Sequence, residues 1–359
     1  MPPSRPDANP YSALPSRSFW RSAVAEPGAE RISGLWTPKF PIAPADPVAC
    51  FGSCFAQHIG QALQRQGFNW LVTEKPPRAT PAQLRRAYGY GLFSARTGNI
   101  YTPSLLLQWL EWAFEIRDPP AEVWACGPRL RDPFRPQIEP SGFASVEELE
   151  RLRALTLRAL RKCVTGARVF VFTLGLTERW INSQTGHEYP LCPGTAAGRF
   201  DPDLHQFAPL DLDSTLSAMR AALDLMARAN PDLRFLLTVS PVPLTATARP
   251  EHVLTASSGA KSVLRAVAGH LAETRTDTDY FPSYELITSS VFGGRFYDAS
   301  QRRVTADGVR FVMDHFFRDL GAPSDPARTH GRSQRSAGPQ GAEDLVCDEE
   351  ILAAFGPRS

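Results

Sequence analysis

Val48-Ala49-Cys50-Phe51-Gly52-Ser53-Cys54-Phe55-Ala56 is an apolar run that ends in a turn of small residues and leads into a segment with helical spacing. Residues 48–51 read as a buried strand, and the following segment keeps Ile59 and Leu63 four apart, on one helix face. A strand that turns directly into a helix is where an α/β protein presents a nucleophile. Side chains at such a turn stand at a helix N-terminus, where backbone N–H groups and the helix dipole favour a thiolate or an oxyanion.

Working outward, the same alternation continues. Trp70-Leu71-Val72-Thr73 reads as a second strand and residues 105–116 as a helix. Ser145-Val146-Glu147-Glu148 is a capping box opening a helix marked by Leu149, Leu152 and Leu160. Residues 168–174 form a near-continuous apolar strand that stops at Gly175. Leu216, Met219, Leu223 and Met226 line one face of a helix over 213–229, which ends at Asn230-Pro231 before a strand at 235–239. A helix from Lys261 to about 274, a strand near 284–287 and a last helix over 307–317 complete the series. Apolar strands between amphipathic helices imply an α/β domain with a mainly parallel sheet covered on both faces, and ligands bind such sheets beyond the carboxyl ends of the strands. The turns at Ser53/Cys54, Thr177/Glu178 and Ser240 then converge on one edge.

Around this domain, placed at 46–320, residues 1–45 read as a proline-rich arm that wraps the core through Tyr11, Phe19, Trp20 and Trp36. Residues 321–359 read as a flexible linker, to about 342, and a short amphipathic peptide carrying Leu345, Val346, Ile351, Leu352 and Phe355, equally readable as docked or frayed. With 43% hydrophobic and 21% charged residues and a formal charge of +2, the chain gives no reason to expect nucleic acid or an acidic membrane as partner. The first residues lack the pattern of a secretory signal, no run approaches a membrane span, and six scattered cysteines suit reduced thiols in the cytoplasm. No Walker loop, dinucleotide fingerprint or zinc helix motif is found, so no cofactor or metal is expected, and the oligomeric state is left open.

Gly52-Ser53-Cys54-Phe55-Ala56, with Gly98-Asn99-Ile100-Tyr101-Thr102, Asp132-Pro133-Phe134-Arg135-Pro136, Leu174-Gly175-Leu176-Thr177-Glu178, Ser240-Pro241-Val242-Pro243-Leu244 and Lys261-Ser262-Val263-Leu264-Arg265, resembles the GSCFA family over most of residues 10–320. That family is similar in turn to the SGNH/GDSL hydrolases, a flavodoxin-like group of esterases, lipases and carbohydrate O-acyl hydrolases or transferases. The resemblance implies a flavodoxin-like, SGNH-type three-layer sandwich. It also implies an ester hydrolase or O-acyltransferase that works on a carbohydrate or related hydroxylated substrate through a covalent acyl-enzyme.

Laid on the Gly-Asp-Ser block of SGNH enzymes, Ser53 falls at the aspartate and Cys54 at the nucleophile. A thiolate is the better nucleophile near neutral pH; Ser53 serves instead if the turn rotates by one residue, or donates to an oxyanion. A buried cysteine packing a tight turn is the structural alternative. At the Gly-x-Asn-Asp block Thr177 replaces the oxyanion-hole asparagine, Glu178 follows, and Asn99 offers the missing amide; as plain structure, Gly98-Asn99 is an ordinary turn and Glu178 an ion-pair partner. At the Asp-x-x-His block, Asp298 is followed by Gln301, and counting back from Gly308 gives Arg303; neither is a general base. Of the remaining histidines His252, after the strand at 235–239, is the first choice as base, ahead of His187, with His315 and His58 more readily structural. Arg135 and Lys261 are read as solvated by default or as anion contacts, and Trp109, Trp112 and Trp180 as core or as sugar-stacking rings. The rival reading is a catalytically degenerate glycan-binding or polysaccharide-assembly protein that retains the fold. A thiol-dependent transferase or redox-sensitive protein using Cys54 is the third.

Overall fold

A computed structural model describes residues 9–321 and 347–356. Strands β1 (Val48–Gly52), β4 (Val169–Leu174), β8 (Arg234–Val239) and β9 (Thr278–Tyr280) form a parallel sheet in the order β1-β4-β8-β9. Each strand alternates its side chains between two apolar layers. Ala49, Phe51, Phe170, Phe172, Phe235 and Leu237 pack with helices α3 (Pro103–Ala113), α4 (Val146–Gly166), α5 (Leu212–Ala229) and α6 (Val253–Thr274). Val48, Cys50, Val169, Val171 and Leu236 pack on the opposite face with α1 (Ala56–Arg65), α7 (Ser283–Thr288) and α8 (Ala306–Asp319). The fold is thus an α/β domain with helices on both faces of a parallel sheet. Burial on both faces is why the strands read as continuous apolar runs.

Outside this sheet lie a short helix α2 (Ala82–Ala87), a hairpin of β2 (Trp124–Cys126) and β3 (Arg129–Arg131), and a small antiparallel sheet in the order β6 (Glu188–Tyr189), β5 (Trp180–Asn182), β7 (His205–Phe207). The small sheet is the insertion that follows β4. Among the described residues no helix is long and apolar enough to cross a membrane.

Several expectations are corrected. The strand at 70–73 shrinks to a single parallel bridge between Trp70 and Val48, because Ser94 takes the next position beside β1, donating its N–H to the Cys50 carbonyl at 3.2 Å. Residues 284–287 are helical, and the last strand is the earlier, polar Thr278–Tyr280. Pro282 lies before that helix, and Ser283, Leu286 and Ile287, three to four apart, share its buried face. The N-terminal arm is anchored by Trp36, Ile32 and Ile42, whereas Tyr11, Phe19 and Trp20 are exposed. The Trp36 indole N–H donates to Asp279 at 3.1 Å, and the His315 ring bridges the carbonyls of Phe311 and Ile32. The linker and the residues Leu345 and Val346 lie outside the described residues.

Candidate active site

Gly52 closes β1 with a φ of +130°, and a Cβ there would stand 2.3 Å from the Thr173 carbonyl oxygen. Only glycine permits that approach. The turn then presses on β4, and the Ser53 N–H donates to the Thr173 carbonyl at 3.0 Å. At the end of β4 the constraint is mirrored: a Cβ on Gly175 would meet Ser53 Cβ at 2.9 Å and the Tyr101 ring at 3.1 Å. The Gly175 and Leu176 N–H groups donate to the Tyr101 carbonyl (2.9 and 3.0 Å), and the Ile100 N–H to the Gly52 carbonyl (2.9 Å). Three segments far apart in sequence are therefore joined by backbone hydrogen bonds beyond the carboxyl ends of the strands. The third turn joins when the Ser240 N–H donates to the Leu174 carbonyl at 2.8 Å.

Lys261 enters this junction from α6. It is 3% exposed, and its Nζ donates to the Gly175 carbonyl at 2.7 Å. Burial pushes its pKa down to about 8, with Glu349 and Cys54 partly offsetting that effect. Ser53 and Cys54 are each 2% exposed, and the Ser53 hydroxyl has no hydrogen-bond partner among the described residues. An unsatisfied buried hydroxyl costs on the order of 1–3 kcal/mol, the kind of deficit a ligand can relieve.

The chain's own end covers this junction. Residues Asp348–Phe355 form a 3₁₀ helix preceded by Cys347. Cys347 packs against the cluster that holds Cys54, and the Tyr101 hydroxyl stands 3.8 Å from the Cys347 sulfur. Asn99 Nδ2 donates to the Asp348 carboxylate at 2.8 Å, the Glu349 N–H to the Tyr101 hydroxyl at 3.3 Å, and Arg302 lies 3.4 Å from the Glu349 carboxylate. Docking is therefore polar: Asp348 and Glu349 are each 5% exposed, while Phe355 is 64% exposed. The tail docks, but through its acids and Cys347 rather than through an apolar stripe.

The protonation states follow from this packing. The neighbouring Cys347 and burial hold the Cys54 thiol well above the ordinary cysteine value, while the same contact lowers Cys347. Burial raises both Asp348 and Glu349, with Asn99 countering the first and Arg302 and Lys261 the second. The lowering expected of a thiol at a helix start is not realised with the tail in place. The Ala56 and Gln57 N–H groups already donate to the carbonyls of Ser53 and Cys54.

Among the sequence candidates, Cys54, Ser53 and Asn99 are brought together. Thr177 is buried on the β4 turn, where its carbonyl accepts the Leu210 N–H at 2.8 Å. Glu178 accepts from the Thr247 hydroxyl at 2.5 Å and pins the loop after β8, close enough to Glu349 to help raise it. His252 is placed elsewhere: it is exposed and caps α6, its Nδ1 accepting the Leu254 N–H at 3.1 Å. Gln301 and Arg303 leave the Asp-x-x-His position without a base, and Arg303 reaches Glu350 at 3.4 Å. His187 is buried against Trp112 and Phe134, and burial holds it uncharged to lower pH; burial pushes His58 down to about 4. Trp109 and Trp112 belong to the core, and Trp180 packs within the small sheet against Phe200 and Phe207.

Arg135 and Lys261 correct the expectation of solvated side chains, since both are buried. Lys261 lies three residues before Leu264 and seven before Ala268, on the buried stripe of α6, so a lysine on an apolar face was the available signal. Cys347, Asp348 and Glu349 carried none, because their partners come from distant segments.

The fold and site define an α/β protein whose small-residue turn and buried lysine meet beyond the carboxyl ends of a parallel sheet. A family model for the GSCFA family matches residues 47–316, and the chain belongs to that family. No curated protein and no solved structure matches the chain.

Proposed function

We propose that the protein is an SGNH-like ester hydrolase or O-acyltransferase that acts on a carbohydrate or related hydroxylated substrate, with Cys54, or Ser53 beside it, as nucleophile and Lys261 as general base. The observation that carries the reading is the buried Lys261, fixed to the turn opposite Ser53 and holding a pKa of about 8. A lysine with such a value is part neutral near physiological pH and can take a proton, the role for which the sequence offered His252. The amine takes the nucleophile's proton as sulfur or oxygen attacks the ester carbonyl. The departing alkoxide recovers that proton from the ammonium. Water or an acceptor hydroxyl then attacks the acyl-enzyme, giving its proton to Lys261, and the acyl bond to the nucleophile breaks as Lys261 returns that proton to the departing sulfur or oxygen. Thr177, Asn99 and the Ser53 hydroxyl are the candidate donors to the oxyanion. Because Cys54 is buried under Cys347, the tail withdraws before substrate enters.

The test is turnover of p-nitrophenyl acetate together with mapping of any adduct from iodoacetamide or a fluorophosphonate. Loss of turnover in Cys54→Ala or Ser53→Ala, with the label on the same residue, supports the mechanism. Full turnover in both variants removes it. The covering of Cys54 by the tail favours a second reading, a glycan-binding or polysaccharide-assembly protein that keeps the fold without the reaction. Glycan binding that survives in both variants, with no acyl-enzyme, would support it.

A further inference from the structure

Beside the tail lies a cavity of about 590 Å³ that shares Asn99 with the acyl site. Its walls include Arg86, Arg131, Arg135, Asn99 and Gln137, and among the described residues the one carboxylate on them is Asp348 of the tail. Arg135 is 2% exposed; it donates to Asp132 at 2.8 Å and to the Thr156 hydroxyl at 2.6 Å, yet its Nη2 has no hydrogen-bond partner among the described residues. A buried guanidinium N–H left unmade is costly, and an anion is the group that completes it best.

We infer that this cavity binds a small anionic ligand, a carboxylate- or phosphate-bearing molecule, and that Asp348 occupies its anchoring point in cis. Asp348 is held as a ligand would be: Asn99 Nδ2 donates to its side chain at 2.8 Å and Gln137 Nε2 to its backbone carbonyl at 3.4 Å. Its carboxyl is nonetheless raised by burial, with Asn99 compensating only in part. A free anion competing for the site would meet the same amide groups within walls that also carry Arg86, Arg131 and Arg135. Planar guanidinium groups suit carboxylate and phosphate alike, so the walls define the charge of the ligand and leave its head group to experiment. The assignment concerns binding and stands whether or not Cys54 is acylated.

The full-length chain and its Asp348→Asn variant would be titrated calorimetrically with succinate and with inorganic phosphate at constant ionic strength. A site occupied in cis nine-tenths of the time weakens apparent affinity about ten-fold, so Asp348→Asn should bind at least one probe about ten-fold more tightly. Succinate alone identifies a carboxylate site and phosphate alone a phosphate site. Two further substitutions in the Asp348→Asn background locate the binding: Ala196→Phe, which fills the cavity, and Gln137→Glu, at an exposed position on its rim, should each reduce it. Equal affinity in the two proteins, no binding of either probe to Asp348→Asn, or binding untouched by both added substitutions would overturn the inference.

Discussion

Two buried polar clusters in this molecule are built from similar residues and behave oppositely. In the first, Asp132 sits fully buried between Arg135 and Arg153, each 2.8 Å away. Burial alone would raise its carboxyl, but Arg153 and Arg135 together outweigh burial and lower it. In the second, Cys54, Cys347, Lys261, Asp348 and Glu349 crowd the sheet edge, and burial pushes Lys261, Asp348 and Glu349 towards their neutral forms. The first cluster stabilises its charges and so holds the Asp132-Pro133-Phe134-Arg135-Pro136 segment in place. The second suppresses charge on its ionisable groups, a condition met more often at functional sites than in structural ion pairs.

The contrast can be broken most directly at Asp132. Asp132→Asn would leave two buried guanidinium groups without their carboxylate, and denaturant unfolding should show a loss of about 3–5 kcal/mol. A loss below 1 kcal/mol would put the two clusters in the same class. Lys261→Met removes a buried ammonium whose hydrogen bond is to a single carbonyl. Turnover of a nitrophenyl ester should fall by roughly 10²–10⁴-fold, as for loss of a general base, while the unfolding midpoint stays level or rises. A large fall in stability instead would make Lys261 structural.

The pH dependence sharpens the same point. The neutral amine gains as pH rises through about 8, so the rate should climb along a limb of that apparent pKa. Linkage has a definite sign here. Between about 8 and the ordinary lysine value of 10.5 the unfolded chain binds the extra proton, so the Lys261 contribution to stability increases with pH across that window. Lys261→Met should flatten both curves. The smallest effect is expected at Cys347→Ser. Loss of the neighbouring Cys347 sulfur should lower the Cys54 thiol pKa, seen as faster iodoacetamide labelling at Cys54 at neutral pH. Unchanged labelling would mean that burial alone keeps the thiol protonated.

Much of this was legible because it is local. The Val48–Ala56 stretch specified strand, turn and helix through apolar continuity and the four-residue spacing of Ile59 and Leu63. Ser145 proved to cap α4, its side chain accepting the Glu148 N–H. The errors fall where periodicity is short or ambiguous. Three polar residues made the edge strand Thr278–Tyr280, while Tyr284 to Ile287 suited either a strand or one helical turn. α6 began earlier than its apolar pattern: Thr255, Ser257, Ser258 and Gly259 are weak helix formers, and the His252 cap with the burial of Ala256, Ser257 and Ala260 holds that first stretch.

By itself the sequence determined the alternation of apolar strands and amphipathic helices, the glycine-flanked turn at Ser53 and Cys54, and the absence of a histidine at the Asp-x-x-His position. These are properties of neighbouring residues, set by side-chain volume, backbone freedom and spacing. The tertiary structure alone decided that Lys261 faces Gly175, that His252 is spent on a helix cap, and that Cys347 and Asp348 return to cover Cys54 and Asn99. Such pairings join residues up to 293 positions apart, from Cys54 to Cys347. Their energies come from burial and from partners met only on folding, and no local pattern encodes them.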